Sequence, residues 1–154
     1  MKSFSLVLTV FLVLAPASLF AVEPMDENDR VQFADGLYTR GMHELALKEY
    51  ETFLRDFTNS PSADAVHFRM GECYRGMSRT PEAENEFRFV FTNFPSGEFK
   101  FKAGFRLADL AAESNRNDEA VALLQDLMNQ KPPDEIAAAS LYRIGEIQES
   151  TGKN

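Results

Sequence analysis

Residues 70–95 read MGECYRGMSRTPEAENEFRFVFTNFP. Gly71 is followed twelve places later by Ala83, then four places later by Phe87, three further by Val90, and the stretch closes on Pro95. A step of 37 residues in either direction finds the same pattern. Ala34, Ala46, Tyr50 and Phe53 stand before it; Ala108, Ala120, Leu124 and Leu127 stand after it. One more step from Ala108 reaches Gly145. The residue preceding each small one is large and apolar: Phe33, Met70, Leu107 and Ile144. A fixed period of this length, held without a gap, marks a repeat architecture.

The spacing has a physical reading. Apolar residues three and four apart form one stripe on a helix. A small residue on each helix of a pair lets two antiparallel helices cross closely. One such pair is too thin to bury its own stripe, so pairs stack and shield one another. The pattern predicts an all-α chain with seven helices, at about 28–40, 43–56, 63–77, 80–93, 99–113, 117–130 and 134–150. Pro61, Pro95 and Pro132–Pro133 fall between successive units, where helices must break. Thr80 is expected to cap one helix, with Pro81 at its first position, and Asn117 to cap another ahead of Asp118 and Glu119. Asp134 and Glu135 supply an acidic first turn after the double proline.

Gly71, Tyr74, Ala83, Phe87 and Pro95, with Ala108, Ala120, Leu124, Leu127 and Pro132 after them, resemble the tetratricopeptide-repeat (TPR) pattern. So do Ala34, Gly41, Ala46, Tyr50 and Phe53. The resemblance covers residues 27–154 and implies a right-handed α-solenoid of stacked antiparallel helix pairs. Its units would be about 27–63, 64–100 and 101–137, with a partial or capping unit at 138–154. A usual unit has 34 residues. The longer step here, with Phe57 and Phe94 before the closing turn and Pro61-Ser62 and Pro95-Ser96 after it, is similar to a bacterial envelope subgroup. That subgroup includes the Tol–Pal-associated cell-division coordinator and the outer-membrane assembly lipoprotein. The chain departs from the second in lacking a lipid-bearing cysteine, and from the first in lacking a coiled-coil segment before the repeats.

Residues 1–21 have a different character. Lys2 precedes an apolar run from Phe4 to Leu14, then Pro16 and the small residues Ala17, Ser18 and Ala21. This is the layout of a secretory signal peptide cleaved near Ala21, followed by a short acidic linker at 22–27. The expected location is periplasmic or secreted. An uncleaved segment acting as a membrane anchor is the alternative. The single cysteine, Cys73, allows no internal disulfide, so its repeat position implies a buried thiol. A formal net charge of −8 argues against nucleic acid and anionic lipid as partners.

In a TPR fold the first helix of each pair lines the concave face, at its fifth, sixth and ninth positions. Position five reads Val31, Phe68, Phe105, Tyr142. Position six reads Gln32, Arg69, Arg106, Arg143, and position nine reads Asp35, Glu72, Asp109, Glu146. Arginine and aromatic side chains are enriched where proteins bind one another. One reading offers this ladder to a peptide or a partner helix. The other has each arginine pair with an acid of its own or a neighbouring unit and staple the repeats. The two can coexist, because partner carboxylates can compete for guanidinium groups.

No catalytic constellation, phosphate-binding glycine loop or small-molecule site is visible, and His43 and His67 lack companions at metal spacing. No enzyme activity, cofactor or metal is expected. The expected function is a protein-interaction scaffold of the cell envelope; a constitutive subunit of a larger envelope complex, or the first part of a longer array, are alternatives. Ile136, Leu141, Ile144 and Ile147 leave apolar surface on the last helix, through which self-association is a further expectation.

Overall fold

The computed structural model describes residues 25–152. The segment read as an export signal or anchor, 1–21, and the first part of the linker lie outside the described residues. Seven helices follow in order: α1 (Glu27–Thr39), α2 (His43–Asp56), α3 (Ala63–Gly76), α4 (Thr80–Asn93), α5 (Lys100–Glu113), α6 (Asn117–Asn129) and α7 (Asp134–Thr151). Every one matches its predicted range to within one residue at either end. No strand occurs among the described residues, and none of their helices is long and apolar enough to cross a membrane. Each helix packs against the next, giving the solenoid that the repeat implied.

The repeat positions form the core. Ala34, Ala46, Ala83, Ala108 and Ala120 are fully buried, as are Tyr50, Phe87 and Leu124 four places after the second-helix alanines. Gly71 shows why the crossing needs a small residue: a Cβ there would lie 2.6 Å from the Phe87 ring. The core is serial. One cluster joins α1, α2 and α3 around Tyr50 and Phe53; the next centres on Phe87 and Leu107; the last centres on Leu124 and Ile147. Cys73 is fully buried in the first cluster. Burial and the neighbouring Glu72 push its thiol up to about 12, so it carries no thiolate at neutral pH.

Each helix pair turns at the same place. Gly41, Ser78, Asn115 and Gly152 stand one repeat step apart, and all adopt left-handed backbone, with φ of 73°, 59°, 60° and 67°. Glycine does this freely; a residue with a side chain loses about 1–2 kcal/mol.

That turn corrects two expectations. Thr80 and Asn117 do not cap α4 and α6; Arg79 and Arg116 occupy the cap positions, with no side-chain cap bond. Their carbonyls accept from the Ala83 and Ala120 N–H groups at 3.0 and 2.9 Å. The left-handed residue reverses the chain within one step, which places the residue directly after it at the helix entrance. Both arginines then reach back to the first turn, Arg79 to Glu82 at 2.6 Å and Arg116 to Glu119 at 3.0 Å. A side-chain cap is seen at α1, where Asp26 accepts from the Asp29 N–H at 2.8 Å.

Candidate functional site

The arginines of α3, α5 and α7 each reach the acid of the preceding unit. Arg69 lies 3.5 Å from Asp35, Arg106 lies 2.7 Å from Glu72, and Arg143 lies 3.2 Å from Asp109. Arg106 and Arg143 also contact the acids three places on in their own helices, Asp109 at 3.4 Å and Glu146 at 3.1 Å. The three rungs are not equal. Arg106 makes a hydrogen bond across the joint to Glu72. Arg69 is the most exposed of the three arginines and has the longest ion pair to the preceding unit. Asp35 also accepts from the Tyr50 hydroxyl, so the first rung is tied into the core.

Asp109 sits between two rungs. Burial raises its carboxyl above the ordinary range, while Arg143, Arg106 and Arg75 pull in the opposite direction without overcoming it. A charge placed there is partly stripped of water and then recovers part of that loss from three guanidinium groups.

Beside the ladder lies a cavity of about 750 Å³. It is lined by Phe68 and Arg69 from α3, by Phe99, Phe101, Lys102, Phe105 and Arg106 at the start of α5, and by Ile136 and Ala139 from α7. Glu98, Pro133 and Glu135 complete the wall. The lining follows the repeat. Phe68 and Phe105 are equivalent positions, as are Arg69 and Arg106, Glu98 and Glu135, Phe99 and Ile136, Lys102 and Ala139. Phe68 packs on Phe99 and Phe87 with ring centres 5.1 and 5.4 Å apart. Lys102 stands over the Phe99 ring at 4.6 Å and Lys100 over Phe101 at 5.2 Å.

The cavity arises where it does because one position changes chemistry. At the first position of unit one, Glu27 accepts a hydrogen bond from Ser60 in the following turn. At the same position of unit two, Asp64 is buried and accepts from the Phe99 N–H at 3.4 Å. Unit three has Phe101 there, and its ring turns into the cavity wall instead of tying down a turn.

Of the expected groove residues, the structure therefore gathers Phe68, Arg69, Phe105 and Arg106 around one cavity. Glu72 and Asp109 stand behind them as partners of the arginines. Asp35 anchors Arg69. Gln32 is exposed on α1, and Tyr142, 70% exposed, Arg143 and Glu146 lie along α7 away from the cavity wall. Phe99, Phe101 and Lys102 were not among the expected residues. Phe101 and Lys102 precede Phe105 by four and three places, so one helical turn along the same face points to them.

Residues 102–132 match the family described as tetratricopeptide repeat. Two solved structures with the same architecture are of a kinesin light chain of Podosopora anserina with nearly identical TPR-like repeats. One superposes with a TM-score of 0.62 at 15% identity, covering 82% of this chain and 67% of that one. A substituted form of the same protein superposes with a TM-score of 0.63 at 15% identity, covering 84% and 70%. At that identity the likeness is one of fold. No curated protein matches this chain. The chain thus has a TPR-like solenoid fold with a tetratricopeptide match in its third unit.

Proposed function

We propose that the protein is an exported, non-catalytic scaffold of the cell envelope that holds a segment of a partner protein in the aromatic, charged cavity between α3, α5 and α7. The observation that carries this reading is the lining itself. Equivalent positions of successive units converge on one cavity of about 750 Å³, with four phenylalanines, three cations and the two carboxylates of Glu98 and Glu135 in its wall. Aromatic rings give large contact area at little entropic cost, and guanidinium groups recognise carboxylates with defined geometry. Export rests on the layout of residues 1–21, and the envelope setting rests on that layout together with the long-step repeat pattern.

The test is a pull-down from envelope extract with Arg69→Ala combined with Arg106→Ala. Partner capture is expected to fall while the stability change stays near the roughly 0–1 kcal/mol typical of part-exposed ion pairs. If capture holds and only the melting temperature drops, the arginines serve the repeat joints alone and the proposed groove is wrong.

A further inference from the structure

The repeat shows which charges of the cavity wall are already committed. Arg106 donates hydrogen bonds to Glu72 of the preceding unit at 2.7 Å and to Asp109 of its own helix at 3.4 Å. Arg143 pairs in the same way, with Asp109 at 3.2 Å and Glu146 at 3.1 Å. Arg69 does not. Glu72, three places on in its own helix, is taken by Arg106, and Arg69 keeps the 3.5 Å ion pair to Asp35. That carboxylate already accepts from the Tyr50 hydroxyl. Arg69 donates no hydrogen bond among the described residues. The α7 side of the wall repeats this with the other sign. Glu98 pairs with Lys102, four places on, at 3.8 Å. One repeat step later these positions are Glu135 and Ala139. Alanine offers no cation, and Glu135 makes no ion pair among the described residues. Arg69 and Glu135 line the cavity together with the rings of Phe68, Phe99, Phe101 and Phe105.

We propose that the cavity selects a short partner segment with one acidic and one basic side chain on either side of a large apolar one. The acid goes to Arg69, the base to Glu135, and the apolar side chain onto the phenylalanine rings. This rests on the reading of the cavity as a partner groove and names the chemistry that the groove accepts. The volume of about 750 Å³ lies within the roughly 300–1,000 Å³ of sites that enclose a compact ligand. A guanidinium with uncommitted N–H groups takes a carboxylate through two parallel bonds. Arg106 cannot serve in its place, because an incoming carboxylate would have to displace Glu72 and Asp109. A segment acidic throughout meets Glu98 and Glu135, and one basic throughout meets Arg69, Lys102 and Arg106. The order of charges, rather than their sum, therefore sets the choice.

The probe is a phage-displayed library of random short peptides, selected on the purified protein. The enriched sequences are expected to hold an acid and a base flanking an aromatic or large aliphatic residue. The most enriched peptide, made with blocked ends and a fluorescein label, is titrated with the protein and read by anisotropy. Arg69→Ala is expected to weaken it about tenfold, through loss of a charge-assisted hydrogen bond. A peptide whose base is exchanged for glutamate should lose binding to the unaltered protein and regain it with Glu135→Lys. A peptide whose acid is exchanged for lysine should be recovered by Arg69→Glu. Circular dichroism of the protein variants should match the unaltered protein; Glu135 is exposed, so its exchange leaves the core untouched. If no peptide is enriched, the groove reading fails and this proposal with it. If peptides bind and Phe101→Ser releases them, the groove stands. The proposal is then overturned by peptides that lack the charge pattern, or by binding indifferent to Arg69→Ala and Glu135→Lys.

Discussion

Units two and four carry the same residue type, glycine, at the eighth position of their first helix and meet different fates. Gly71 is buried under the ring of Phe87, and Met70 beside it is 5% exposed. Gly145, at the equivalent place, is exposed, and Leu141 stands largely in solvent one turn earlier. The helices are equally well formed: α3 runs over 14 residues and α7 over 18. The difference teaches that a repeat position has no burial of its own. It is core or surface according to whether a neighbour supplies the other half of the contact, so the repeat pattern specifies potential contacts and stacking realises them.

The largest test of this comparison is removal of the covering side chain. Phe87→Ala should destabilise the protein by about 3–5 kcal/mol, while Leu141→Ala should stay within about 0.5 kcal/mol. Urea unfolding measures both; similar losses from the two would break the comparison. A smaller effect comes from adding one methyl group to each glycine. Gly71→Ala is expected to cost about 1–3 kcal/mol, because the new Cβ runs into the Phe87 ring. Gly145→Ala is expected to gain about 0.5–1 kcal/mol from helix propensity, with nothing in the way. Opposite signs in thermal melts sharpen the contrast, and equal signs remove it.

The smallest effect concerns the joint between units three and four. Asp109 has a raised carboxyl pKa, so the folded chain holds its proton more tightly than the unfolded chain. Stability linked to this group is then highest at acid pH. It declines as pH rises from the ordinary carboxylate value through the raised one. Asp109→Asn removes that dependence. The unaltered protein's stability relative to this variant should therefore fall as pH increases across the carboxylate range, as followed by denaturant midpoints. A rise instead would mean that Arg106 and Arg143 outweigh burial at this joint.

Much of the molecule was legible in the sequence because its information is periodic. The alanines and the apolar residues three and four places on define the helices, the crossings and most of the core, and the arginine-acid alternation marks the ladder. What stayed hidden depends on shapes that no period encodes. Ser78 and Asn115 take the left-handed turn although neither is glycine, which moved the caps of α4 and α6 by one residue. Phe33 holds a core position in the pattern yet is 47% exposed. The cavity wall includes Phe101 because unit three has an aromatic ring where its predecessors have a turn-binding acid. That substitution is visible in the alignment of units, but its result needs three of them in space.

The position of the lone sulfur carries a separate consequence. Cys73 lies where α1, α2 and α3 meet, without solvent contact and without ionisation at neutral pH. Oxidants and electrophiles need a reachable thiolate, so the atom is chemically silent while the first two units stay clasped. Any modification found on it would record a moment when they had come apart, which makes this one residue a natural logbook of partial unfolding along the array.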